Sequence, residues 1–219
     1  MINMVIGYSF GNIYLSINNP DLYKRLYKLF NTVYYLSEYD KRENSKGKDF
    51  INWMITVYAN CKTNAYSCKQ EKELIIFEHD IRGYKFTSGN TDVFVDVDCK
   101  WKIELYNDKK YITISGESGY DLFDLVKKVI RQITASEQSN GGCVKLHASS
   151  IAYENNGIVF CGPKNSGKTT NLMRLLSTGK VKYISNDLTM CTTENLLLPT
   201  LAGPYVALAT LESIDKYRK

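Results

Sequence analysis

Nine consecutive residues constrain this chain more than any other stretch: Gly162-Pro163-Lys164-Asn165-Ser166-Gly167-Lys168-Thr169-Thr170. They fit G-x-x-x-x-G-K-[ST], a pattern whose backbone wraps a polyphosphate. Gly162 and Gly167 let the backbone turn tightly and approach phosphate oxygens with no Cβ in the way. The loop N–H groups then point inward, Lys168 places its charge on the β- and γ-phosphates, and Thr169 offers its hydroxyl to Mg²⁺.

A pattern this short needs its context, and the flanks supply it. Gly157-Ile158-Val159-Phe160-Cys161 is a short apolar run with β-branched residues, which predicts a buried strand. After the loop, Leu172, Leu175 and Leu176 recur at helical spacing, and Gly179 provides a stop. Strand, glycine loop and helix together add the helix dipole to phosphate binding.

Composition narrows the class further. The chain has 219 residues, 44% hydrophobic and 23% charged, enough for one large domain or two small ones. A net charge of +5 with no dense Lys/Arg stripe is not a nucleic-acid signature. Lys127, Lys128 and Arg131 read as the wet face of a helix. No signal pattern or membrane-length apolar run occurs, so the expectation is a cytoplasmic protein with no membrane partner. Six cysteines without a C-x-x-C pair, and only two histidines, argue for free thiols rather than zinc or disulfides.

Residues 2–6 and 12–17 predict a hairpin. Asn19, Pro20 and Asp21 are a cap, a first-turn proline and a dipole-complementing acid. Leu22, Leu26, Leu29, Phe30, Val33 and Leu36 then carry a helical period. Residues 37–48 read as an exposed loop, 50–58 as either strand or helix, and 60–72 as a polar loop. Residues 73–115 predict an antiparallel meander, with strands near 73–78, 84–87, 93–97, 101–106 and 111–115. Asp92, Asp96 and Asp98 could be taken for a metal cluster, but alternation assigns Asp96 and Asp98 to the wet face of a strand. Leu122, Leu125, Val126, Val129, Ile130 and Ile133 mark an amphipathic helix. The polar break at 136–142 sets a boundary between an N-terminal α+β domain with antiparallel strands (1–140) and a nucleotide-binding core (141–219).

Beyond that boundary, 144–148 reads as a strand that 151–153 continues. Glu154 to Gly157 makes a tight turn, and 181–185 reads as a parallel neighbour of the strand before the loop. Asp187 follows at that strand's carboxyl end, where Mg²⁺ or an attacking hydroxyl is handled. The plainer alternative is that Asp187 caps a turn. His147 by residue type is most often structural, and His79 has no supporting pattern.

Leu146-His147-Ala148-Ser149-Ser150-Ile151-Ala152, then Gly157 to Phe160, the glycine loop, and Ile184-Ser185-Asn186-Asp187 together resemble the HPr kinase/phosphorylase-like superfamily. The order and spacing match over 143–187. Residues 73–142 are more loosely similar to the lasso-peptide kinase branch, and the first 70 residues show no likeness. The resemblance implies a phosphoenolpyruvate-carboxykinase-like P-loop core, giving an α/β core within an α+β chain. It also implies that His147 lies beside the transferred phosphate and that Lys168 and Thr169 bind phosphate and magnesium. Asp187 matches the second acid of the family's Asp-Asp pair, which deprotonates the acceptor.

Three features depart from that family. Asn186 stands where the first acid is usual. Thr170 stands where HPr kinases proper carry an acid. The chain ends at Lys219, short of the family's remaining strands and acceptor-binding region.

The expectation is an ATP- and Mg²⁺-dependent kinase acting on a serine-type hydroxyl of a peptide or protein, with a homo-oligomer compatible. Its catalytic residues would be Asp187, His147 and Lys168. Gly162 to Thr170 would bind nucleotide, and Thr169 and Asp187 would bind metal. A nucleotide-binding regulator and a plain NTP hydrolase are the rivals.

Overall fold

A computed structural model describes residues 1–31, 35–38, 51–63, 73–76, 81–198 and 200. It is a mixed α+β structure, rich in sheet, with three helices among the described residues. The expectations for His79, Cys68 and Val33 lie outside the described residues. The chain divides into two compact units, Met1–Gln132 and Ile133–Lys219.

The first unit begins with β1 (Ile2–Tyr8) and β2 (Gly11–Ile17), the expected antiparallel hairpin. Helix α1 (Pro20–Phe30) follows, and the Asn19 side chain accepts from the Leu22 amide at 2.9 Å. That bond satisfies one of the N–H groups a helix start leaves open. The helix ends at Phe30, earlier than its apolar period implies. Leu36 lies instead in β3 (Tyr35–Glu38), paired antiparallel to β1. Thr32, Val33, Tyr34 and Tyr35 are weak helix formers, β-branched or aromatic, and the edge of β1 offers Tyr35–Glu38 a ladder.

The ambiguous stretch resolves as β4 (Ile51–Tyr58), parallel to β2 on one side and to β9 (Tyr111–Gly116) on the other. A central strand in two parallel pairings carries a near-continuous apolar sequence, which hides its period. The remaining strands are β5 (Glu73–Ile76), β6 (Ile81–Ser88), β7 (Thr91–Asp96) and β8 (Trp101–Tyr106). With β9 they form the expected antiparallel meander. The sheet order is β3-β1-β2-β4-β9-β8-β7-β6-β5.

Alternate residues along these strands are buried, among them Met4, Ile6, Ile13, Leu15, Ile55, Val57, Ile103 and Ile114. Fully burying a side chain of this size is worth roughly 1.5–3 kcal/mol. Strand β7 ends at Asp96, so Asp98 sits in the following turn and not on a strand face. It pairs with Lys100 at 3.0 Å, while Asp92 pairs with Lys85 at 3.1 Å. Thr87's hydrogen bond is the chief cause holding the Asp92 carboxyl below its ordinary range.

Helix α2 (Phe123–Asn140) follows. Leu122, at its start, packs where Gly116 has no side chain; a Cβ there would lie 2.7 Å from Leu122 Cδ2. The helix runs through 136–140, where a polar break is expected. Those residues contain neither glycine nor proline, and the stop comes at Gly142, with φ +88°. The Cys143 amide closes the end on the Gln138 carbonyl at 3.0 Å.

The second unit holds two small sheets. One is β10 (Val144–Leu146), β14 (Thr189–Cys191) and β15 (Leu197–Leu198), in that order. The other has β11 (Ala148–Tyr153) at its centre, with β12 (Asn156–Cys161) and β13 (Lys182–Ser185) on its two sides. Helix α3 (Lys168–Ser177) packs on β11 and β12 through buried Leu172.

Strand β13 is not the immediate neighbour of β12 that the sequence predicts. Strand β11 lies between them, antiparallel to both. The β11–β12 hairpin, turned over Glu154 and Asn155, places β11 along one side of β12 and hands its far edge to β13. No helix among the described residues is long and apolar enough to cross a membrane.

Candidate functional site

Because β11 opposes both of its neighbours, β12 and β13 run the same way. Their carboxyl ends and the amino end of β11 therefore share one edge of the sheet. Cys161 leads from that edge into the glycine loop, Ser185 leads into Asn186-Asp187, and His147 precedes Ala148 there. The predicted site residues His147, Gly162 to Thr170 and Asp187 fall on three adjacent chain segments.

The loop has the backbone its glycines predict. Gly167 caps α3 with φ +85°, ψ 14°, a left-handed conformation that glycine adopts without steric cost. A Cβ on Gly162, whose φ is +157°, would lie 2.6 Å from Ser166 Oγ, so any other residue there would displace that side chain. Asn165 also has positive φ, +67°, and such residues alternating with ordinary ones shape anion-binding concavities. Pro163, Lys164 and Asn165 are exposed at the loop tip, and Ser166 donates its amide to the Pro163 carbonyl at 3.2 Å.

Lys168 opens α3 and folds its Nζ over the loop, donating to Gly162 O at 2.8 Å and Pro163 O at 3.0 Å. Thr169 and Thr170 follow in the first helical turn, which carries no acid to compete with an anion. Thr169 Oγ1 donates to Asn186 Oδ1 at 3.3 Å.

His147 does not lie within one continuous strand, as the sequence predicts. It marks the break between β10 and β11, which belong to different sheets. The pairings Leu146↔Thr189 and Ser150↔Ser185 keep one antiparallel register on either side of that break. The interruption coincides with Asp187, whose φ of +69° lifts residues 186–188 off the ladder. Aspartate is one of the few side chains that tolerate this conformation. The break frees the two side chains that would otherwise sit in the sheet. His147 Nδ1 and Asp187 Oδ1 come within 3.3 Å, and both side chains are more than half exposed.

Beneath the pair lies a polar cluster of which the sequence reading singled out only Asn186. Ser149, 1% exposed, donates to Asn186 Oδ1 at 2.7 Å. Ser150 and Ser185 share a bond of 2.6 Å, Ser185 and Thr189 one of 2.7 Å, and Thr189 reaches the Ala148 carbonyl at 3.1 Å. Buried hydroxyls are costly unless bonded, and each of these has a partner. The available signal was the doublet Ser149-Ser150 facing Ser185-Asn186, small polar residues where buried strands normally carry Val or Ile. Tyr183 flanks the cluster. Burial pushes its phenol up to about 12, against a backbone hydrogen bond from Asn186.

The donor set suits a nucleotide with its cation: a glycine cradle that a Cβ would fill, a lysine, a threonine hydroxyl and a carboxylate. No group of three His, Cys, Asp or Glu residues able to hold a metal unaided occurs among the described residues. A cation here would accordingly share its coordination with phosphate oxygens, as Mg²⁺ does. The chain matches no protein-family model and no curated protein.

Proposed function

We propose that this chain is an ATP-dependent kinase that transfers a γ-phosphoryl group to a serine-type hydroxyl of a peptide or protein. On this reading residues 141–219 belong to a phosphoenolpyruvate-carboxykinase-like core, and the kinship is with the HPr kinase/phosphorylase-like superfamily. The observation that carries the reading is the shared sheet edge, where the glycine loop, Lys168 and Thr169 meet the His147–Asp187 pair.

Lys168 and the loop amides would hold the phosphates; Thr169 and Asp187 would hold Mg²⁺. When bound, ATP supplies the phosphoryl group and Mg²⁺ neutralises its charge. Asp187 takes the acceptor's hydroxyl proton as that oxygen bonds to phosphorus, and the bond to the departing nucleotide diphosphate breaks. His147, 3.3 Å from the Asp187 carboxylate, steadies it and presents a second polar group at the same place. Positioning and charge neutralisation dominate phosphoryl transfer, so this short set of residues is sufficient. The loop reads phosphates rather than the base.

Asn186, a neutral residue where the family carries an acid, favours a second reading: a nucleotide-binding regulator with no transfer of its own. One experiment separates them. The protein is incubated with γ-labelled ATP, Mg²⁺ and the peptides and proteins encoded beside its coding region. Label on a serine hydroxyl supports the kinase. Nucleotide binding without labelled product supports the regulator, and phosphate release that no acceptor redirects supports a hydrolase. Lys168→Ala should weaken Mg·ATP binding by at least about tenfold.

A further inference from the structure

Asn186 poses a chemical question that an acid would not. A carboxylate has two equivalent oxygens, and either can accept the Thr169 proton. A carboxamide has one accepting end and one donating end. With Oδ1 toward Thr169, the hydroxyl donates inward and keeps its lone pairs for a cation. With Nδ2 toward Thr169, the hydroxyl must accept, and a lone pair is spent on the protein.

The structure has Oδ1 in that place, bonded at once by Thr169 at 3.3 Å and Ser149 at 2.7 Å. Asn186 is 3% exposed and Ser149 1%, so water does not readily replace either partner. Ser150, the neighbouring hydroxyl, is engaged by Ser185 and Thr189. Ser149 thus holds the amide oxygen from below, and a flip of the amide would require the Ser149 and Thr169 hydroxyls to reverse together.

We propose that Ser149 is a positioning residue: its hydrogen bond holds the Asn186 amide oxygen toward Thr169, and so directs the Thr169 lone pairs to the cation that accompanies bound nucleotide. The inference rests on the nucleotide-site reading of Lys168 and Thr169. It deepens that reading by naming what a neutral residue at 186 requires.

The test is calorimetric binding of ATP to the full chain, with and without Mg²⁺. In the parent, Mg²⁺ should tighten binding. Ser149→Ala should shrink that gain about tenfold, the worth of one good hydrogen bond, and leave Mg²⁺-free affinity within about twofold. Ser149→Thr should restore the gain. Ser149→Cys, a weak donor of similar size, should reproduce the loss even if the alanine variant does not fold. Ser150→Ala, in the same cluster but not bonded to Asn186, should lower stability without touching the Mg²⁺ gain.

The decisive arm is the Asn186→Asp background. There Ser149→Ala should have no effect on the Mg²⁺ gain, because a carboxylate needs no orienting. An unchanged gain in Ser149→Ala, or an equal loss in the Asn186→Asp background, overturns the inference. Parental ATP affinity in Lys168→Ala overturns the nucleotide-site reading instead, whatever the serine variants do.

Discussion

The two units of this chain bury different things. In Met1–Gln132 the buried set is overwhelmingly apolar, with Ser16, Thr56 and Thr63 as its described polar members. In Ile133–Lys219 the polar members are Thr134, Gln138, Ser149, Ser150, Ser185, Asn186, Thr189 and Thr200, against a comparably short apolar list. Long strands with a two-residue period fill the first interior with hydrocarbon. In the second, hydroxyls on short strands form a hydrogen-bonded cluster, and Thr134 and Gln138 are buried on α2. Hydrocarbon burial is non-directional and yields stability. Hydrogen-bonded clusters yield less net stability and fix directions. The second kind of interior is what a site needs if it must hold one amide and one hydroxyl in set orientations.

That contrast can be broken by substitution. The largest effect on folding should come from the first unit: Trp101→Ala, at a fully buried position, should cost about 3–5 kcal/mol in denaturant unfolding. Its folded fraction should bind nucleotide like the parent. Asp187→Asn should do the reverse, lowering labelled-phosphate transfer by at least about a hundredfold while leaving stability and Mg²⁺-free ATP affinity nearly intact. Transfer at the parental rate would remove Asp187 from the role of base.

Tyr183 gives a smaller effect that sharpens the comparison through pH. Its phenol rises from an ordinary 10.0 to about 12 on burial, so the folded chain favours the neutral form. That contribution is fully present below pH 10 and is lost as pH climbs toward 12. Tyr183→Phe should flatten this alkaline decline by about 1–2 kcal/mol, read from urea midpoints across the window. The smallest effect is expected at the Asn19 cap, where Asn19→Ala should cost about 1 kcal/mol and leave ATP binding untouched.

What the sequence made legible was local. The glycine loop is spelled by contiguous residues, and Asn19 and Pro20 announce a helix by chemistry that acts within one turn. The end of α1 was not legible, because the apolar period continues to Leu36 and only the partner edge of β1 decides that Leu36 is a strand residue. The same holds for β4, where two parallel neighbours erase the alternation. At the candidate site, the sequence offered His147, Lys168, Thr169 and Asp187 as candidates. Their arrangement could not be read, since the intervening position of β11 and the broken ladder depend on pairings between distant segments.

That break has a consequence for how the site tolerates change. Pairing resumes at Ser150↔Ser185 in the same register and then shifts, to Ile151↔Tyr183, so the segments carrying His147 and Asp187 are stitched together on both sides of the opening. Neither can slide along the other without unfastening a seam. A single inserted residue between Ser185 and Thr189 would have to be absorbed as a bulge, as the shift after Ser150 already absorbs one. Side-chain replacement leaves that seam untouched and is the inexpensive route to new behaviour at this site.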